Sequence, residues 1–259
     1  MTDDADRSWA DIHAAWGDAH AELYDLVFAS RGKNYTTEAD DITGLIRSRL
    51  PAAASLLDVA CGTGAHLARF SESFDHTEGV ELAEAMRSVA RRRLPDVSIH
   101  PGDMRTFDLA RTYDAVICLG NAIACVETVT DLEQAVAQLV KHVEPGGVLV
   151  VEPGWFPDQF IDGYVGGHLV HEDHRIVSRV THSTLQDGSA RVEIKFVVAE
   201  PRGFQEWTDI FLMKLFTRDE YVAAFENAGC AVEFIDIPWR LGDRPHNAPG
   251  LFIAVRKDL

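Results

Sequence analysis

The chain has 259 residues, with 24 basic against 41 acidic side chains and a formal net charge of −17. That length builds one large domain, or one domain with an elaborated cap. So acidic a surface repels phosphate backbones, which excludes nucleic acid as the expected partner; an anionic small molecule would need a local basic pocket.

Apolar and aromatic residues recur with helical spacing from Trp9 to Ser30 (Ile12, Trp16, Leu23, Tyr24, Val27, Phe28), predicting helices that bury one face. A polar turn, Arg31–Tyr35, follows. Thr36 or Thr37 is the expected cap of a second helix with Ile42, Leu45, Ile46 and Leu50 as its buried stripe. Residues 1–50 read as a helical lid.

The stretch Leu56-Leu57-Asp58-Val59-Ala60-Cys61-Gly62-Thr63-Gly64 runs an apolar strand into a glycine-centred turn, with a helix after it. Glycine lets the chain turn sharply and lets a ligand approach the backbone. The carboxyl end of a parallel strand is where open α/β sheets bind ligands, and the helix start offers free N–H groups. The G-x-G-x-x-G fingerprint is incomplete, because Leu67 stands in the third place. A generic nucleotide-binding turn therefore stays open at this point.

A βα series continues. The strand ending in Gly79-Val80-Glu81-Leu82 places an acid about 20 residues beyond the glycines, where ribose hydroxyls are bound. Arg91-Arg92-Arg93 reads as a solvated helix end favoured by the helix dipole. Val97–His100 leads to Gly102-Asp103-Met104, and Tyr113–Leu119 is a strand covered on both faces. A helix from about Asp131 is expected to end at Pro145-Gly146-Gly147, with Val148–Glu152 as the fifth strand. Residues 51–154 form the expected core.

After Pro153 the alternation stops. Arg175–Leu185 and Arg191–Glu200 read as strands joined by an Asp187-Gly188 hairpin turn, with Trp207–Phe216 pairing beside them. Residues 155–216 form an antiparallel cap. In 217–259, Thr217-Arg218-Asp219-Glu220 is a capping box opening the last helix, Gly229 stops it, and Val232–Ile237 and Leu251–Arg256 close the sheet around a rim loop with Arg240 and Arg244. The fold class is α/β, a doubly wound and mostly parallel Rossmann-like sheet with an antiparallel β cap inserted after strand 5.

Cys61, Cys118, Cys125 and Cys230 lack C-x-x-C or zinc spacing and read as reduced thiols, suiting the cytoplasm; the histidines give no recognisable metal spacing. No run is apolar and long enough to span a membrane, and no signal-peptide pattern is visible. An exposed cap edge would suit a homodimer.

Asp58-Val59-Ala60-Cys61-Gly62-Thr63-Gly64 resembles the first motif of class I S-adenosylmethionine (SAM) methyltransferases. The resemblance implies that Ala60, Gly62 and Gly64 approach the methionine part of SAM through backbone. Glu81 accepts from the ribose hydroxyls and Asp103 from the adenine amino group, while Met86, Met104 and Leu119 line the ring. Tyr24-Asp25-Leu26-Val27, Arg31–Tyr35, the glycine motif, Gly79–Leu82, Gly102–Arg105, Val151–Pro157, Arg179-Val180-Thr181-His182-Ser183 and Leu215–Arg218 together resemble the bacterial deoxyaminosugar N-methyltransferases, in order from about Trp16 to the C-terminus. Members of that family dimethylate the amine of a TDP-linked sugar in antibiotic biosynthesis.

That second resemblance implies that Tyr24 and Tyr35 close over the methionine end of SAM. Trp16 and Trp155 are expected to shape the nucleotide-sugar site, with Arg179, His182 and Ser183 on the cap and Arg240 or Arg244 in the rim loop as the donors to its diphosphate; the family's own arginine contact there is either lost or supplied by Arg244. Three places depart from the family pattern. Trp16 replaces a tyrosine, Asn247-Ala248-Pro249-Gly250 replaces a Ser-Gly-Arg segment, and Cys125 stands where relatives carry a histidine or tyrosine after strand 4. A thiol of ordinary pKa, about 8.5, is a poor base at neutral pH, so the expectation is that no dedicated base acts and solvent takes the amine proton. Asn121 and Glu152 are the candidates for orienting the amine. The runner-up functions are O- or N-methylation of another small metabolite, or SAM binding by a non-catalytic partner protein.

Overall fold

The computed structural model describes residues 17–235 and 250–258. Trp16 and the rim-loop residues Arg240, Arg244, Asn247 and Pro249 lie outside the described residues. Two helices, α1 (Asp18–Ser30) and α2 (Tyr35–Arg49), precede the sheet. Asn34, not Thr36 or Thr37, caps α2, because its side-chain oxygen accepts from the Thr37 N–H at 3.1 Å.

The core then alternates: β1 (Ser55–Val59), α3 (Ala65–Ser73), β2 (His76–Glu81), α4 (Glu84–Arg93), β3 (Ser98–Pro101), β4 (Tyr113–Cys118), a single 3₁₀ turn (Ala122–Cys125), α5 (Val129–Lys141) and β5 (Val143–Val151). After the cap come α6 (Arg218–Asn227), β10 (Cys230–Ile235) and β11 (Leu251–Arg256). The seven strands lie in the order β10-β11-β5-β4-β1-β2-β3, parallel except at β11, which runs antiparallel to both β10 and β5. The chain reverses its direction of winding between β1 and β4, and there the sheet opens a crevice at its carboxyl edge.

Strand periodicity divides the core into two layers. Leu57, Val59, Val116, Cys118, Leu149 and Val151 face α5 and α6, which contribute Leu132, Val136, Leu139, Tyr221 and Phe225. Leu56, Ala115, Ile117, Val148 and Val150 face α2, α3 and α4, which contribute Ile42, Ile46, Leu67, Phe70 and Ala90. Both faces being covered, β4 and β5 can be almost entirely apolar.

Two boundaries differ from the sequence expectation. Helix α5 ends at Lys141, and Pro145-Gly146-Gly147 is absorbed into β5. The pairing of β4 with β5 shifts register between Tyr113 and Ala115, so Tyr113 faces Val143 while Ala115 faces Val148. That irregular stretch accommodates a proline that could not donate to a regular ladder. The third cap run is also longer at its start, beginning at Gly203.

The cap is a four-stranded antiparallel sheet in sequential order: β6 (Tyr164–Glu172), β7 (Arg175–Gln186), β8 (Ser189–Glu200) and β9 (Gly203–Lys214). Asp187 (φ 49°) and Gly188 (φ 71°) make the two-residue β7–β8 turn. The sequence reading did not anticipate β6, whose Gly166-Gly167 pair has poor strand propensity; pairing along nine positions of β7 overrides it. The inner face of the cap receives Leu23 and Val27 of α1, packed against Val177, Val192, Ile194 and Phe196. Ala21 of the same helix packs against Ala83 and Met86 at the start of α4, with Tyr24 beside them. Helix α1 is thus a wedge between cap and core. Among the described residues, no helix is long and apolar enough to cross a membrane.

Candidate active site

Strand β1 is buried to its end and delivers the chain into a turn of left-handed residues, Ala60 (φ 60°), Gly62 (φ 57°) and Gly64 (φ 74°). A non-glycine residue in that region is uncommon, and here it sits on the wall of a cavity. Gly64 points the other way. A Cβ there would lie 3.2 Å from Leu94 Cδ1 and 3.3 Å from Ala90 Cβ, so its glycine lets α3 pack on α4.

The turn is held by the end of β2. Glu81 Oε2 accepts from the Gly62 N–H at 2.9 Å and Oε1 from the Ala83 N–H at 2.8 Å. Burial raises the Glu81 pKa, against the pull of these backbone bonds. Asp58 is 2% exposed, and burial, with the Glu81 charge added, holds its pKa well above the usual range.

A cavity of about 330 Å³ lies between this turn and the inner face of the cap. From the core and the lid it is lined by Tyr24, Tyr35, Ala60, Gly62, Glu81, Met86, Met104 and Leu119, and after β4 by Asn121 and Cys125. From the cap come Trp155, Tyr164, Arg179, Thr181 and Ser183. Cys125 is half-buried on the cavity wall, and burial, then the Glu81 charge, push its thiol up to about 12. Asn121 is left-handed (φ 63°), and its amide N–H donates to the Pro153 carbonyl at 2.5 Å.

Four expected site residues stand off the cavity wall. Gly64 is the packing glycine described above. Asp103 is held by Arg105, whose guanidinium donates to its carboxylate at 2.6 Å and keeps its pKa low. Glu152 accepts from the Gly120 N–H at 2.6 Å and so fixes the loop after β4. His182 corrects the sequence reading. Alternation along β7 points Arg179, Thr181 and Ser183 inward, whereas His182 projects from the outer face, opposite Val165 and Glu193.

Three groups were missed from sequence. Thr181 is 6% exposed and its hydroxyl has no hydrogen-bond partner; stepping by two between Arg179 and Ser183 would have found it. Arg93 is not a simply solvated helix end. Its guanidinium donates to the Thr63 carbonyl at 2.6 Å and to Asp25 at 2.5 Å, while the Thr63 hydroxyl donates to Asp25 at 2.8 Å, clamping α1 onto the glycine turn. His20, on α1, lines the cavity and meets Asp209 of β9; no local sequence signal joins residues so far apart.

A methyltransferase domain model matches residues 56–147. The chain is 43% identical over 249 residues to the dTDP-4-amino-2,3,4,6-tetradeoxy-D-glucose N,N-dimethyltransferase of Saccharopolyspora spinosa, covering 96% of this chain and 97% of that one. It is 48% identical over 218 residues to the dTDP-3-amino-3,4,6-trideoxy-alpha-D-glucopyranose N,N-dimethyltransferase of Streptomyces venezuelae, covering 84% and 92%. SAM-bound CalS10, an amino pentose methyltransferase from Micromonospora echinaspora involved in calicheamicin biosynthesis, superposes with a TM-score of 0.83 at 48% identity over 91% of this chain and 97% of that chain. The chain belongs to the TDP-aminosugar N,N-dimethyltransferases. It is a SAM-dependent methyltransferase of class I fold.

The residues present fit SAM. In this methyltransferase the cavity volume is that of a small-molecule site. Asp58 and Glu81 suit a ligand that is cationic at sulfur and rich in hydroxyl donors, and Met86, Met104 and Leu119 offer an apolar slot for a base. Carboxylates buried for such a ligand cost stability without it. The folded-state pKa of Asp58 lies above its unfolded value, so below the unfolded value both states are protonated and nothing is lost. As pH rises between the two values the folded state alone still holds the proton, and stability falls. Asp58→Asn should therefore raise the Tm of the ligand-free enzyme by a few degrees at neutral pH and by little near pH 3–4, around the ordinary carboxylate range, as calorimetric melts across pH would register.

Proposed function

We propose that this enzyme methylates the amino group of a TDP-linked deoxyaminosugar in antibiotic biosynthesis, adding two methyl groups in succession. The observation that carries this reading is the two-sided cavity: a SAM-type glycine turn with Glu81 on one wall, and Arg179, Thr181 and Ser183 in one inward-facing row on the other. The names of relatives that align along nearly the whole chain support the same substrate class.

SAM, when bound, supplies an electrophilic methyl carbon whose bonding pair leaves with sulfur. The chain's own residues bind, orient and exclude water. Glu81 receives ribose hydroxyls, the backbone from Ala60 to Gly62 receives the methionine part, and Met86, Met104 and Leu119 enclose the base. Tyr24 and Tyr35 cover the site as neutral phenols, since burial raises the pKa of both. On the cap side Arg179 provides a cation for a diphosphate, a charge-assisted contact worth about 1.5–3 kcal/mol. Thr181 and Ser183 donate from the same strand face. Trp155 shapes the sugar end and packs on Phe160 at 5.7 Å between ring centres. Asn121, on the cavity wall with its amide N–H held by the Pro153 carbonyl, orients the amine in this reading. Cys125, its thiol pushed up to about 12, stays protonated at neutral pH and does not take the amine proton. Four unpaired cysteines suit a reducing cytoplasm.

The outer face of the cap suits a second copy of this chain. Val165 (70% exposed), Leu169 (53%) and Val180 (53%) share that face. Light scattering should report a dimer, and Val180→Asp a monomer. Incubation with methyl-labelled SAM and TDP-aminosugars carrying the amine at C3 or C4 should yield mono- and then dimethylated sugar by mass spectrometry; SAM binding without turnover on any such amine would reject the proposed substrate. Thr181→Val should raise KM for the sugar nucleotide about tenfold, the equivalent of one hydrogen bond of about 1.4 kcal/mol, with the affinity for S-adenosylhomocysteine unchanged in calorimetry.

A further inference from the structure

Strand β6 carries two adjacent glycines whose surroundings differ. Gly167, opposite the exposed Val180, lies on the outer face of the cap, where a Cβ would meet the Arg179 carbonyl oxygen at 3.5 Å, an ordinary contact. Gly166 lies on the inner face, on the cavity wall. A Cβ there would be 2.8 Å from Tyr164 Oη, 3.0 Å from Cε1 and 3.1 Å from Cζ. All three atoms belong to one ring, so the Tyr164 side chain is folded back along its own strand and occupies the place of the missing Cβ. Gly166 is not left-handed, so the backbone does not require glycine there. A glycine inside a strand weakens it and commonly marks a close approach. Here the approaching group is the Tyr164 ring.

The register of the cap fixes what this ring stands beside. Tyr164 is opposite Ser183, Gly166 opposite Thr181 and His168 opposite Arg179. The Tyr164 row continues through Ser183 and Val192 to Phe211 on β9. Two residues beyond Phe211, Met213 reaches the core. Its Cε is 3.7 Å from the place of a Cβ on Gly154, and Ala124 Cβ, in the 3₁₀ turn after β4, is 2.5 Å from that same place. The Tyr164 row is therefore the nearer to the turn that carries Asn121 and Cys125, and Arg179 lies two rows farther out. Along β7 that step is about 13 Å. A sugar whose amine is at Asn121 and whose diphosphate is at Arg179 has its ring over Tyr164, Gly166 and Thr181.

We infer that Gly166 is a specificity-determining residue that sets the depth of the sugar subsite: having no side chain, it lets the Tyr164 ring lie back against β6, and that ring is the floor on which the C–H face of the deoxysugar rests. The inference rests on the aminosugar reading above and deepens it. An aromatic face is flat, apolar and negatively polarised, which suits the C–H groups that a deoxysugar presents where hydroxyls are missing. Thr181, with its buried and unpartnered hydroxyl, is the polar neighbour across from Gly166. A side chain at position 166 would lift the ring off the sheet. Tyr164 Oη is the far end of a rotatable side chain, so the ring yields rather than the backbone. The inner face of the sheet is the cavity side, so the ring moves into the space of the sugar.

The test measures Gly166→Ala, Tyr164→Ala, the double variant and Gly167→Ala with a TDP-aminosugar that the wild type methylates. Gly166→Ala should raise KM for that substrate about tenfold, the scale of an overpacked site. The inhibition constant of thymidine diphosphate, which lacks the sugar, and the affinity for S-adenosylhomocysteine should both stay within about twofold. Tyr164→Ala should also raise KM, because the floor is gone. Gly166→Ala added to it should change KM by no more than about twofold, since no ring remains to displace. Gly167→Ala should match wild type. A wild-type KM in Gly166→Ala, a rise of equal size with the ring already removed, an equal weakening of thymidine diphosphate, or the same defect in Gly167→Ala would each overturn the inference. Wild type that methylates no TDP-aminosugar at any pH would instead overturn the substrate assignment, and this inference with it.

Discussion

The site depends on one buried carboxylate. Glu81, at the last residue of β2, accepts from the backbone N–H groups of Gly62 and Ala83 and thereby ties the turn after β1 to the start of α4. A buried polar backbone group without a partner is costly, and so is a buried charge without donors. Each solves the other's problem here. The same side chain forms part of the cavity wall, so the group that would bind a ribose is also the one that shapes the turn beneath the methionine end.

The second constraint is the wedge of α1. Its Leu23 and Val27 belong to the cap's apolar layer, its Ala21 packs with Ala83 and Met86, and its Asp25 is clamped by Arg93 and Thr63 at the glycine turn. Closing the cavity and assembling the lid are therefore one event, because the side chains that cover the site are the ones that hold the two sheets together. His20 extends this from the other side of the helix by reaching Asp209 on the cap.

Charge distribution explains how so acidic a protein could accept an anionic substrate. Most arginines are paired locally: Arg105 with Asp103, Arg87 with Glu84, Arg69 with Asp40 and Arg175 with Glu172. Where such pairs are exposed they contribute little stability, but they leave few cations to attract anions elsewhere. Arg179 is set apart by its place on the inner face of the cap, where low dielectric makes one charge count for more.

Strand and helix periodicities determine the architecture from sequence alone, because each buried face repeats at its own period: the apolar β1, β4 and β5, the stripes of α2 and α5, and the Asp187-Gly188 hairpin. The glycine turn and Glu81 are local enough for their spacing to mark a turn that the structure puts on the cavity wall. What sequence could not assign is whatever a partner strand or a distant element imposes. Strand β6 exists despite its glycines because β7 pairs with it, and Pro145-Gly146-Gly147 joins a strand because a register shift makes room. Alternation on β7 exchanges His182 for Thr181 on the cavity wall, and Asp103 is claimed by Arg105. Only the folded chain brings His20 to Asp209 across a separation of 189 residues. A side chain's chemistry is written in the sequence, but which neighbours it keeps is decided by packing.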